Sequence, residues 1–197
     1  QKQSDQPVIL KARFLYLCCG YYSYKNGHQP DFPGQANFKG QWVHPQFWPA
    51  KLNYDQKKVV VIGSGATAIT LVPEMAKKAA HVTMLQRSPT YVITRPEEDK
   101  FSLTLQKYLP MKWAYQITRA KNVILGMLSY QFARSQPELV KNYLVKMAAK
   151  QLRSDEQAQH FSPDYKPWDQ RLCLVPDGDL FKQIRSGNAS VVTDTIQ

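Results

Sequence analysis

Val59-Val60-Val61-Ile62 runs straight into Gly63-Ser64-Gly65-Ala66-Thr67-Ala68, and no other stretch of the chain limits its fold as sharply. Four consecutive apolar residues, three of them valine, predict a strand buried on both faces, as in a parallel sheet. The G-x-G-x-x-A spacing then predicts a tight turn at Gly63 and a close backbone approach at Gly65. The small Ala68 lets a helix pack tightly on the strand. That helix is read over about 66–80, with Pro73 inside it as a kink or a lost hydrogen bond. Residues 81–86 read as a second strand. Strand, glycine turn, helix and strand open a Rossmann-like α/β domain, and the free N–H groups at the helix start suit the pyrophosphate of a dinucleotide. An ordinary glycine turn is the alternative.

The end of the second strand bears on which dinucleotide. A carboxylate there would bind the ribose 2′-hydroxyl of NAD. The sequence instead has Gln86-Arg87-Ser88-Pro89, and the fork of Arg87 suits the 2′-phosphate of NADP(H). A solvated arginine at a strand end is the other reading.

Elsewhere the organisation is coarser. Residues 8–19 read as buried strand material closing on Gly20, and 21–49 as an ordered connection with little regular structure. Residues 97–160 carry apolar periodicity punctuated by Pro110 and Pro137, which predicts helices. A short helix near 180–185 and a last strand at 190–193 follow. Lys and Arg number 26 against 15 Asp and Glu, a formal charge of +11, which raises a nucleic-acid or membrane-surface reading. The helical segment 97–160, however, holds ten basic and six acidic residues, with no dense cationic block and no recognised nucleic-acid motif. No metal-ligating set and no membrane-spanning run is read. Cys18 and Cys19 are adjacent and Cys173 stands apart, so no disulfide framework is implied and a cytoplasmic setting is expected, with membrane association left open. The chain begins without methionine and stops just after a strand-like run, and is read as the central piece of a longer polypeptide.

Just before the glycine turn lies Phe38-Lys39-Gly40-Gln41-Trp42-Val43-His44-Pro45-Gln46-Phe47-Trp48-Pro49. Phe38, Gly40, His44, Trp48 and Pro49 fit F-x-G-x-x-x-H-x-x-x-W-P, and this segment resembles the fingerprint of Baeyer–Villiger monooxygenases, within the class B flavoprotein monooxygenases. Arg13-Phe14-Leu15, Gly20-Tyr21-Tyr22-Ser23, Gln86-Arg87-Ser88-Pro89-Thr90 and Trp168-Asp169-Gln170-Arg171-Leu172-Cys173 extend the likeness over nearly the whole chain. It is nearest to the group that includes ethionamide-activating and long-chain alkane monooxygenases.

The resemblance implies five segments. Residues 1–37 belong to an FAD domain, and 38–55 form a fingerprint linker. Residues 56–96 and 163–197 are two parts of an NADP-binding domain, and 97–162 a helical insertion between them. It implies a cofactor site at Gly63, Ser64, Gly65, Ala66, Thr67, Ala68, Arg87, Ser88 and Gln170, with Arg171 as the active-site arginine that stabilises an anionic flavin peroxide. It further implies an enzyme using NADPH and FAD to place one atom of O2 into a lipophilic ketone, thioether, amine or long-chain aliphatic substrate. The fragment alone is then expected to be inactive, with most of the FAD site in the missing remainder of the polypeptide. Residues 101–132 either wall a lipophilic pocket or bury their own faces. Three departures stand out. Gln170 replaces a lysine common in the family, Cys18-Cys19-Gly20 replaces its A-T-G stretch, and neither the FAD glycine motif nor the upstream acidic residue occurs in the sequence. An NADPH-dependent flavoprotein reductase without oxygenation shares the glycine turn but has no need of the fingerprint. A basic nucleic-acid- or membrane-binding module is the reading from charge alone.

Overall fold

The computed structural model describes residues 11–18, 20, 23 and 25–196, in two compact units, Gln1–Trp48 and Pro49–Gln197. The division falls inside the stretch 38–55 read as a linker.

In the first unit the expected strand over 8–19 is not formed by residues 11–18; residues 8–10 and 19 lie outside the described residues. A strand needs a neighbour for its N–H and C=O groups, and here Phe14, Leu15, Tyr16 and Leu17 are 71–78% exposed, with no partner strand among the described residues of this unit. Between 25 and 48 the only regular pieces among the described residues are two single-turn 3₁₀ helices, Gln35–Asn37 and Pro45–Phe47.

The second unit begins with strand β1 (Lys58–Ile62), helix α1 (Ala66–Met75) and strand β2 (His81–Gln86). Strand β3 (Tyr91–Arg95) comes next, then helices α2 (Lys100–Tyr108), α3 (Met111–Ser135), α4 (Pro137–Leu152) and α5 (Asp155–Ala158). Strand β4 (Leu172–Pro176), helix α6 (Asp179–Arg185) and strand β5 (Ala189–Thr193) complete it. β1, β2 and β5 form a parallel sheet in that order, Ile62 opposite Leu85 and Leu85 opposite Val192. β3 and β4 form a separate parallel pair, Tyr91 opposite Leu172. Helices α2–α5 sit in sequence between those two strands, so the helical segment is an insertion in an α/β frame.

The prolines act as read. Pro110 caps α3 and Pro137 opens α4, positions where a missing N–H costs nothing. Asp99 caps α2 by accepting from Phe101 and Ser102 N–H. Pro73 is buried inside α1, which ends at Met75 rather than near 80. A proline there removes one donor of the helix ladder, and residues 76–80 continue as turns.

The core joins Ile69 and Val72 of α1, Val82 and Met84 of β2, Ala148 and Leu152 of α4, and Leu180, Phe181 and Ile184 of α6. Phe161 meets Phe181 edge-on at 5.2 Å between ring centres. The sheet is covered on one side. Val59 and Val61 pack on the core, whereas Val60 and Ile62 on the opposite face are 59% and 43% exposed. The expectation of a β1 strand buried on both faces is therefore corrected: β1 is an edge strand with one open face, because no described element lies over the second side. The reading in which the helical insertion buries its own faces does not hold for α3. In α3 only Ala114 and Ala133 are buried, while Trp113, Tyr115, Leu125, Met127 and Leu128 are exposed.

Candidate functional site

The site grows from the carboxyl ends of β1 and β2. Because Ile62 pairs with Leu85, the Gly63 N–H reaches the Leu85 carbonyl at 2.8 Å, and the glycine turn and the Gln86–Ser88 end of β2 share one edge of the sheet. Gly63 has φ +126°, a conformation open in practice to glycine alone. Gly65 has ordinary extended angles, φ −78° and ψ 179°; what matters there is the missing side chain. Ala68 is buried against the strand, and Ala66 and Thr67 lie in the open first turn of α1. The first backbone N–H bonded back into the helix is that of Ile69, to the Gly65 carbonyl at 3.1 Å. The amides of Ala66, Thr67 and Ala68 thus stand at a helix N-terminus with no intrahelical acceptor, which is an anion-binding arrangement.

Ser64 fixes the turn from behind. It is buried, its hydroxyl lies 3.0 Å from that of Thr90, and it donates to the Ser88 carbonyl at 3.4 Å. Gln86 is also buried, donating to the His160 carbonyl at 2.7 Å and to Thr193 at 2.8 Å. With its neighbour so anchored, Arg87 leaves the strand end exposed to solvent, as does Ser88.

Arg171 comes to the same place from the far end of the chain. A Cβ built on Gly65 would stand 3.9 Å from the Arg171 Nη1, at ordinary contact distance. The loop before it is pinned to α3: Trp168 meets Tyr130 edge-on at 5.9 Å, and Asp169 pairs with Arg134. Trp168 itself has φ +71°, a left-handed backbone that bulky residues seldom adopt. Gln170 is exposed and bridges nothing among the described residues. The ion pairs of the described residues engage Lys77, Lys121 and Arg134, leaving Arg87 and Arg171 without a carboxylate. Two uncommitted arginines and a helix N-terminus suit a polyanionic ligand.

Tyr165 belongs to this site although no motif points to it, and so does Thr90, which ends the Gln86-Arg87-Ser88-Pro89-Thr90 stretch without a role assigned to it. The Tyr165 hydroxyl donates to the Arg171 carbonyl at 2.7 Å, and the Tyr91 hydroxyl donates to the Tyr165 carbonyl at 2.7 Å. The two rings meet edge-on at 5.3 Å. Burial first, and then the neighbouring Tyr165, push the Tyr91 phenol up to about 12. Burial likewise raises Tyr165, opposed by the Thr90 side chain, the Tyr91 backbone and the Arg171 charge. Cys173 is raised by burial, with Arg171 opposing.

The fingerprint residues of the first unit show local packing. The Phe38 ring folds over Gly40, where a Cβ would meet it at 2.3 Å, and Phe38 and Phe32 flank Trp42 at 5.5 and 5.9 Å. His44 accepts from the Gln46 N–H at 3.2 Å through Nδ1 and caps the second 3₁₀ turn. Its ring fills the space where a Cβ on Gly27 would stand, 2.2 Å away. Trp48 is exposed and Pro49 begins the second unit.

A family model described as FMO-like, flavin-binding monooxygenase-like, matches residues 3–134. The chain belongs to the flavin-binding monooxygenase-like family. Among its curated relatives, the probable FAD-binding monooxygenase AlmA of Acinetobacter baylyi is 54% identical over 187 residues, covering 94% of this chain and 38% of that protein. The FAD-containing monooxygenase EthA of Mycobacterium tuberculosis is 48% identical over 190 residues, covering 95% and 39%. This family member thus spans about two fifths of the length of the curated relatives it matches. Its fold is that of Baeyer–Villiger monooxygenases. An oxidized steroid monooxygenase bound to NADP superposes with a TM-score of 0.62 at 17% identity, over 85% of this chain and 39% of that one. Cyclohexanone monooxygenase from Rhodococcus sp. Phi1 bound to NADP⁺ gives 0.60 at 18%, over 84% and 38%.

Proposed function

We propose that this chain is the NADP(H)-binding part of an FAD-dependent monooxygenase. The observation that carries the reading is the convergence at one sheet edge of the open α1 N-terminus, the missing side chain of Gly65, and Arg87 and Arg171, which pair with no carboxylate among the described residues. These residues fit the nucleotide. The amides of Ala66, Thr67 and Ala68 would hold the pyrophosphate and Arg87 the 2′-phosphate, with Ser88 beside it and Gln170 on the Arg171 loop. When bound, NADPH supplies hydride.

The chain's own part is electrostatic and positional. Arg171 places a fixed positive charge beside the nucleotide turn, where it stabilises negative charge developing nearby without moving to do so. In the parent polypeptide the reaction would transfer one atom of O2 to a small lipophilic substrate, and the fingerprint Phe38, Gly40, His44, Trp48 and Pro49 favours this over a reductase without oxygenation. The exposed apolar residues of α2 and α3, interleaved with Lys107, Lys112 and Arg119 and with no acidic residue from 100 to 135, favour peripheral contact with an anionic membrane in the cytoplasm. No helix of the described residues is long and apolar enough to cross one.

Titrating the chain with NADPH and NADH by calorimetry tests the nucleotide reading, tighter binding of NADPH being expected and equal affinities overturning it. For the parent polypeptide, ¹⁸O2 label in the product supports oxygenation; reduced acceptor and peroxide without labelled product would establish the reductase.

A further inference from the structure

Arg171 is a loop residue, exposed and without a carboxylate partner among the described residues, yet its Nη1 comes within 3.9 Å of where a Cβ on Gly65 would stand. A long cationic side chain in water has many rotamers and about 2 kcal/mol of entropy favouring them, so the backbone that carries it has to be held. The holding groups form a circuit. Gly63 and Ser64 begin it, and the Ser64 hydroxyl lies 3.0 Å from Thr90 at the start of β3. Thr90 is followed directly by Tyr91, whose hydroxyl donates to the Tyr165 carbonyl at 2.7 Å. Tyr165 then donates to the Arg171 carbonyl at 2.7 Å, and the Arg171 side chain returns to the turn at Gly65. Thr90 is 1% exposed and Ser64 7%, so water competes poorly for these groups.

We propose that Thr90 and Tyr165 are positioning residues, tying the Arg171 backbone to the glycine turn through Ser64 so that the guanidinium is held where a dinucleotide's phosphates approach. This rests on the nucleotide reading of the turn. The circuit makes the turn and the arginine one rigid piece, although more than 100 residues of chain separate Gly65 from Arg171. It also explains why Thr90 is buried and polar directly beyond the exposed end of β2.

The test uses two ligands on the same chain. NADP⁺ meets both the turn and Arg87, whereas 2′-AMP carries only the adenosine and the 2′-phosphate. Tyr165→Phe and Thr90→Val are each expected to weaken NADP⁺ by about tenfold, the loss of one well-placed hydrogen bond to a charged site, and to leave 2′-AMP unchanged. Thr90→Ser restores NADP⁺ binding. In an Arg171→Ala background Tyr165→Phe has no further effect, since its influence runs through that arginine. NADP⁺ affinity unchanged in Tyr165→Phe would overturn the proposal. So would equal weakening of both ligands with a lowered melting temperature, which marks a purely structural role. If wild-type chain binds neither ligand, the nucleotide reading of the turn fails first and is recognised by that result.

Discussion

The Arg171 guanidinium lies beside Gly65, with Nη1 3.9 Å from the position a Cβ would take. That is ordinary van der Waals distance. Alanine at 65 therefore meets no clash and, at φ −78°, no backbone strain. Gly63, two residues earlier, has open space around it but φ +126°.

The two glycines of one turn are thus expected to fail differently. Gly65→Ala keeps the melting temperature and loses at least about tenfold in NADPH affinity, because a methyl group sits where backbone and phosphate approach. Gly63→Ala lowers stability by about 1–3 kcal/mol from backbone strain. Thermal melts paired with calorimetry separate them. A Gly65→Ala chain that binds NADPH as wild type would remove the pyrophosphate from this turn.

On the NADP(H) reading, Arg87 is the residue expected to set the choice of nucleotide. Arg87→Ala should weaken NADPH by about tenfold or more, the worth of a charge-assisted phosphate contact, and leave NADH unaffected. Fluorescence titration with both nucleotides measures it. Parallel losses would show that Arg87 acts on the fold rather than on the 2′-phosphate.

Tyr91 gives the second unit an alkaline limit. Its phenol is raised from 10.0 to about 12 by burial and by Tyr165, so the folded state favours the neutral form. The stability this group contributes is present in full below about pH 10 and is lost as pH rises towards 12. Tyr91→Phe should cost about 1 kcal/mol near neutral pH by leaving the Tyr165 carbonyl without its donor. Between pH 10 and 12 the gap between wild type and variant should close. Denaturant melts of both across that range would show a constant gap if Tyr91 does not titrate in this way.

Phe181 marks the centre of the core, 1% exposed and edge-on to Phe161. Phe181→Ala is expected to destabilise the second unit by about 3–5 kcal/mol, enough to abolish cooperative unfolding in a marginal domain. A loss below 1 kcal/mol by urea titration would mean that α6 is not integral to the core.

The parts of this arrangement that depend on neighbours in sequence were legible. β1, the glycine turn, the start of α1, β2, α6 and β5 follow from short patterns, and Pro110 and Pro137 place the helix starts. The β3–β4 pair was not read, because its signal lies in the pairing of Tyr91–Arg95 with Leu172–Pro176 across the whole insertion. The open face of β1 was misread for a related reason, since an apolar run does not say whether an element covers both sides. Tyr165 bears no motif and Thr90 only ends the Gln86–Thr90 stretch; folding alone brings them to Ser64 and Arg171. The strand read at 8–19 fails over residues 11–18 because β propensity needs a partner strand to be realised.

Trp168 carries a last consequence. Its left-handed backbone costs about 1–3 kcal/mol and persists beside two grips on α3, Tyr130 against its own ring and Arg134 on Asp169. The helical insertion is therefore not an excisable module. An engineered chain that bridged β3 to β4 with a short crossover would keep the parallel pair and the glycine turn, yet release the loop that presents Arg171.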